Sequence, residues 1–173
     1  VNSHQNDIVQ RARKLAIHSH RNQQYGPVDN PLPYRWHIEH TAMLADRMGY
    51  PSEVTAACWL HDVVEDTDIT LDQLSTEHGF DELVTSAVSA VTFIEGVDTD
   101  KIAKAKSNMV GHVVKYCDSS VNFSASVVFG PKVNQTQTEA LDKYFSYINE
   151  LKKDLPTVEE VTEKVKKWHE KND

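Results

Sequence analysis

The stretch His61-Asp62-Val63-Val64-Glu65-Asp66 carries four ionisable side chains in six residues. Around it Val54, Ala57, Cys58, Leu60 and Val64 recur at helical spacing, so a helix beginning near Pro51 is expected to run through it, proline being acceptable in a first turn. Positions four apart on a helix share a face. That spacing would stack His61 with Glu65 and Asp62 with Asp66, leaving Val63 and Val64 free to pack. Such a patch is costly once dehydrated, because like charges repel and carboxylates lose their water. A divalent cation removes the cost by accepting imidazole nitrogen and carboxylate oxygen together. A solvated acidic helix face is the other reading that the six residues allow by themselves.

Two residues elsewhere favour the cation. His37 follows Pro33-Tyr34-Arg35-Trp36 at the start of a predicted helix and can reach the His61 helix if the two pack antiparallel. Asp118 lies among Val113, Val114, Cys117 and Val121, where an unpaired carboxylate would be expensive.

Outward from this core the periodicity is helical almost throughout. Helices are expected over 6–20, 36–48 and from Pro51, then a short one capped by Thr70 and Gln73 and one bearing Leu83, Val84, Ala87, Val88 and Val91. Ile102, Lys106, Met109, Val113, Cys117 and Val121 predict one long helix, with Gly111 its weak point. The valines of 124–129 could form a strand, but a lone strand would have no partner, so a continuing helix is preferred. Leu141, Tyr144, Phe145, Ile148 and Leu151 mark another helix, and Thr157 with Glu160 caps a last one. Gly26, Pro27, Pro31 and Pro33 make 25–33 a loop. The expected class is therefore all-α, an assembly of about eight helices of uneven length. With 173 residues and no linker-like tract, one domain over 1–173 is expected, with core motifs in 8–122 and a helical C-terminal extension over 139–171.

Composition narrows the function. The formal charge is -8, from 18 basic and 26 acidic side chains, whereas duplex binding calls for a basic face. Nucleic acid is not an expected partner. No apolar run is long enough for a membrane span and no signal peptide is apparent, so a cytoplasmic location is expected. Cys58 and Cys117 lie in apolar surroundings and read as buried thiols. The amphipathic tail is compatible with docking on the core or on a second copy in a homo-oligomer.

The order histidine, histidine-aspartate, distant aspartate, here His37, His61-Asp62 and Asp118, resembles the HD-domain superfamily of metal-dependent phosphohydrolases. The chain is most similar to the hydrolase domain of RelA/SpoT-type proteins and their small stand-alone relatives. The matching words are His20-Arg21-Asn22-Gln23, Pro33-Tyr34 before His37, the run from Leu60 to Thr70, and Val114-Lys115-Tyr116-Cys117-Asp118 with Asn122. The resemblance implies one divalent ion, usually Mn2+, held by His37, His61, Asp62 and Asp118. It implies that Glu65 and Asp66 orient or activate the attacking water and that Asn122 and Arg21 lie at the substrate. Tyr34, in a loop with a polar end, and Lys115 are further candidates for substrate contact. The implied reaction removes pyrophosphate from the 3' position of guanosine tetra- or pentaphosphate.

The chain departs from that pattern in Ser119 and Ser120, where a basic residue and leucine usually follow the distant aspartate, in Ser19 where lysine is common, and in Ile38 where proline is usual. Fewer cations are then expected beside the site. This leaves two other readings: an HD-type enzyme acting on a nucleotide 5'-triphosphate or 5'-monophosphate, and a non-catalytic nucleotide or metal sensor. Among the remaining histidines, His20 can border the pocket and His40 fits helix packing, His78 fits a helix end, and His4 and His169 are expected in solvent. Trp36 and Trp59 fit core packing, and Lys101, Lys104 and Lys106 could cover the pocket mouth.

Overall fold

A computed structural model describes residues 3–172, with side chains from Asp7 onward, so His4 lies outside the described side chains. The elements in chain order are α1 (Ser3–Ser19), β1 (Gln24–Tyr25), β2 (Leu32–Pro33), α2 (Arg35–Arg47), α3 (Ser52–Leu60), α4 (Val63–Asp66), α5 (Leu71–Thr76), α6 (Glu82–Val91), α7 (Lys101–Lys106), α8 (Met109–Phe129), α9 (Gln137–Lys152) and α10 (Val158–Asn172). The all-α expectation holds. Among the described residues the strands form only a two-residue antiparallel hairpin, with Tyr25 opposite Leu32, inside the stretch expected to be a loop.

α3 is the centre of the assembly. Val54, Ala56, Ala57, Cys58 and Leu60 are fully buried, and α1, α2, α6 and α8 pack around it. A short helix with small residues lets four neighbours approach closely, and none of its apolar faces is left for water. Cys58 and Cys117 are both free and buried, as their surroundings predicted.

Three helix starts follow the expected or equivalent chemistry. Thr70 with Gln73 and Thr136 with Glu139 form capping boxes, and Thr157 with Glu160 exchanges the same pair of bonds at 2.8 and 3.2 Å. The chain over 124–129 is helical, continuing α8 to Phe129.

The long helix expected from Ile102 to Val121 is instead two. Asn108 takes an extended conformation (φ -125°, ψ 123°) and its side chain accepts the Gly111 N–H at 2.9 Å, so that α8 begins afresh after α7. Periodicity survives a break of this kind because both segments bury the same face. Gly111 is not a defect: a Cβ there would lie 2.9 Å from the Ala90 Cβ and 3.3 Å from the Ala87 carbonyl, so its bareness sets how closely α8 meets α6.

The C-terminal helices dock on the core. Val161 and Val165 of α10 join the buried cluster, contributing about 1.5–3 kcal/mol each if fully removed from water. His169, expected in solvent, reaches the buried Glu53 carboxylate at 2.8 Å and supplies the partner that a buried acid needs. His112 bonds the Leu151 carbonyl at 2.8 Å, fixing α9 along α8.

Gly111→Ala is expected to lose stability despite a helix-propensity gain of about 1 kcal/mol, because overpacking costs roughly 1–3 kcal/mol where two of the three nearest atoms are backbone carbonyls. Urea unfolding measures the difference; a variant at least as stable as the parent would refute the close approach.

Candidate metal centre

Three helices deliver the charged cluster. His37 lies in the first turn of α2, His61 directly after α3, and Asp118 midway along α8. The expected continuous helix through His61 does not form. α3 ends at Leu60, Asp62 adopts φ -98°, ψ -5°, and α4 starts at Val63. Both His61 and Asp62 keep right-handed helical dihedrals, and their side chains approach each other, with His61 Nε2 and Asp62 Oδ2 3.0 Å apart. The expected stacking of His61 on Glu65 is replaced: Glu65 Oε2 accepts the Phe93 N–H at 2.9 Å.

Among the described residues His37, His61 and Asp118 form one buried group of possible metal ligands, and Asp62 lies against both imidazoles. His37 Nε2 lies 3.1 Å from His61 Nε2, 3.4 Å from Asp62 Oδ2 and 3.3 Å from Asp118 Oδ1, and His61 Nε2 lies 3.6 Å from Asp118 Oδ1. Ligand atoms roughly 2.0–2.2 Å from a shared ion sit about 3.0–3.6 Å from one another in tetrahedral or octahedral geometry. The separations among His37, His61 and Asp118 thus fit a shared ion, with Asp62 within reach of the two imidazoles. The donor chemistry fits as well. His61 Nδ1 is 2.7 Å from the Cys58 carbonyl, which can only accept, so a neutral His61 presents its Nε2 lone pair inward.

Either a proton or a cation must reconcile that lone pair with the carboxylates. Burial disfavours a charged His61, but Asp62 and Asp118 outweigh it and hold its pKa up at about 10. Burial likewise opposes charge on Asp62 and Asp118; the imidazoles, and for Asp118 above all the Lys115 ammonium at 2.7 Å, hold both carboxyls well below the usual range.

Above the cluster is a cavity of about 210 Å³. Its acidic floor comprises His61, Asp62, Asp118 and, beside them, Glu65 and Asp66. Tyr34 lies over it with its hydroxyl 2.7 Å from both Asp62 Oδ2 and Asp66 Oδ2, one proton shared between two carboxylates. Asn122 lines the wall, but its amide is engaged: Nδ2 donates to Asp118 Oδ1 at 2.5 Å and Oδ1 accepts from Tyr25 at 2.8 Å. Lys101, Lys115, Lys132 and Lys143 line the same cavity with Tyr144 and Tyr147; Lys115 is paired with Asp118 at 2.7 Å and Lys101 lies 3.7 Å from Glu65. Burial, then the neighbouring lysines, lower the Lys143 pKa, the mark of cations crowded without enough counter-charge.

Not every expected residue arrives. Arg21 is exposed and donates to the His18 carbonyl at 2.8 Å, satisfying the open end of α1 and staying out of the cavity lining. Lys104 is held by the Thr92 carbonyl and Asp98, and Lys106 by Asp154, so of the three basic residues only Lys101 faces the cavity. His20 is buried with its ring stacked on Tyr34 at 4.6 Å; His40 stacks on Trp36 at 4.1 Å and bonds the Trp36 carbonyl, a packing role as expected. Trp59 packs in the core.

Sequence reasoning missed Tyr25, Lys132, Lys143 and Tyr147. Lys132 and Lys143 lie beyond the motif-bearing region, on the α8–α9 turn and on α9, and nothing in their spacing announces the cavity. Tyr25 was legible only as the residue two places after Gln23.

No protein-family model matches the chain, and no curated protein matches it. Solved structures do. One is described as a metazoan ortholog of SpoT that hydrolyzes ppGpp and plays a role in starvation responses; it matches with a TM-score of 0.69 and 22% sequence identity over 94% of each chain. The chain shares that fold. The SpoT-ortholog fold and the buried His37, His61 and Asp118 cluster agree with the HD-type architecture that the motif order implied. Among the described residues no helix is long and apolar enough to cross a membrane.

Charge linkage yields a pH signature. The raised His61 pKa stabilises the metal-free fold fully below about pH 6.5, and this contribution is lost as pH rises through about 10. The lowered Asp62 and Asp118 values act oppositely, stabilising above about pH 4 and losing that effect as pH falls. The metal-free thermal midpoint is expected to decline from pH 6.5 towards 9, whereas the increment from added Mn2+ grows over the same range because the cation displaces the His61 proton. A Mn2+ increment independent of pH would contradict the shared site.

Proposed function

We propose that the chain is a metal-dependent phosphohydrolase acting on a small phosphorylated nucleotide, and specifically that it removes pyrophosphate from the 3' position of guanosine tetra- or pentaphosphate. The observation that carries this reading is the pairing of a dehydrated His37–His61–Asp62–Asp118 cluster with four lysines across one small cavity. The likeness to a ppGpp hydrolase supports the choice of substrate.

His37, His61, Asp62 and Asp118 would hold the ion. Two imidazoles, two carboxylates and no thiolate suit manganese, for which carboxylate and water are good partners. When bound, a divalent cation supplies a water of lowered pKa and polarises a phosphoryl oxygen.

The remaining steps belong to the chain. Glu65 is anchored through one oxygen by Phe93, leaving the other, 3.7 Å from Lys101, to accept the proton of the attacking water. Asp66, fixed by Tyr34, assists in orienting it. Attack at phosphorus breaks the bond to the 3' oxygen, which takes a proton as pyrophosphate departs. Lys101, Lys115, Lys132 and Lys143 neutralise the phosphates, and Tyr144 and Tyr147 offer surfaces for base or sugar. Lys132 and Lys143 make good the positive charge that Ser119 and Ser19 withhold, which favours a polyphosphorylated substrate over a monophosphate.

Purified protein with Mn2+ is expected to convert guanosine tetraphosphate into GDP and pyrophosphate, identified by chromatography. Turnover of nucleotide 5'-phosphates alone would overturn the substrate, and an absence of turnover with the ion bound would overturn the enzyme. Asp62→Ala is expected to lose both metal and activity. Glu65→Ala should retain the ion while turnover falls about 10²-fold or more, and the Lys132→Ala, Lys143→Ala pair should raise KM more than it lowers kcat. Metal content measured beside steady-state kinetics distinguishes these outcomes.

A further inference from the structure

A ligating histidine is ordinarily held by a hydrogen bond to its second ring nitrogen. His61 has one, to the Cys58 carbonyl. His37 does not: its Nδ1 is buried and has no hydrogen-bond partner among the described residues. What fixes the His37 ring is aromatic packing. The Tyr25 ring lies parallel to it, centroids 4.7 Å apart with planes within 6°, and Tyr34 meets it edge-on at 5.9 Å.

The same Tyr25 reaches a second proposed ligand. Its hydroxyl donates to Asn122 Oδ1 at 2.8 Å, and the Nδ2 of the same amide donates to the Asp118 carbonyl at 3.0 Å and to Asp118 Oδ1 at 2.5 Å, the oxygen nearest both imidazoles. The Asp118 carboxylate and its main-chain carbonyl only accept, so they hold the Asn122 Nδ2 towards them, and the Tyr25 hydroxyl ties down the Oδ1 end of the same amide. Tyr25 is 4% exposed and is held in place by the hairpin register opposite Leu32, while Lys132 from the cavity wall sits over its ring at 4.7 Å.

We infer that Tyr25 is the positioning residue of the metal centre, orienting His37 with its ring and Asp118, through Asn122, with its hydroxyl. The inference rests on the metal-centre reading above and adds to it a residue that touches neither the ion nor the substrate. Its two functions are separable. Tyr25→Phe keeps the ring and removes the tether; Tyr25→Leu removes both.

The test is Mn2+ affinity by isothermal titration on the full chain, with the metal-free thermal midpoint as a control for folding. Partner groups of this kind cost about 10–100-fold in metal affinity when removed. Tyr25→Phe is expected to weaken Mn2+ about 10-fold with a near-parental metal-free midpoint, and Tyr25→Leu to weaken it further. In an Asn122→Ala background, where the tether has nothing to orient, Tyr25→Phe should cause no additional loss. Should Tyr25→Leu fail to fold, Tyr25→Phe and the double variant still decide. Parental affinity in Tyr25→Phe, or an equal loss with and without Asn122, overturns the tether. Failure of the parent chain itself to bind a divalent cation overturns the metal centre and this inference with it.

Discussion

Two imidazoles and the Asp118 carboxylate meet in a site nearly cut off from water, with Asp62 against both imidazoles, and that arrangement is tolerable only beside positive charge. Water cannot supply it there, because His37, His61 and Asp118 are almost fully buried. A cation at the centre does so with ligand separations of ordinary coordination length; a proton on His61 is the lesser substitute. The helices can be understood as the means of bringing these groups to a single point from three distant parts of the chain.

α3 makes that convergence possible. Its small, fully buried residues draw α2 and α8 against it, and His61 and Asp62 follow directly on its last turn, where their side chains lie 3.0 Å apart. The close approach of α8 to α6 at Gly111, and the docking of α9 through His112, fix where Asp118 and the lysine-bearing wall stand.

Charge is distributed against the overall balance. The chain is acidic, yet the cavity beside the acids is lined by Lys101, Lys115, Lys132 and Lys143. Steering and recognition of an anion depend on this local field, not on the formal total. In the proposed reading, Lys132 and Lys143, from a turn and a helix further along the chain, stand in for the basic residue whose place after Asp118 is taken by Ser119.

Helical class, capping at Thr70 and Thr157, and burial of Cys58 and Cys117 were legible in the sequence, because periodicity and burial are local properties; the gathering of His37, His61 and Asp118 was what the resemblance in motif order implied. The break at Asn108 was not, since both halves bury the same face and the pattern runs on across it. Nor was the turn at His61-Asp62, which the hydrophobic spacing reads as continuous helix. Arg21 was assigned by motif to the substrate, but the open end of α1 claimed it. Lys132, Lys143 and the two contacts of Tyr25 depend on which surfaces of α8, α9 and the hairpin face the cavity. That is decided by packing between segments far apart in the chain, about which neighbouring residues carry no information.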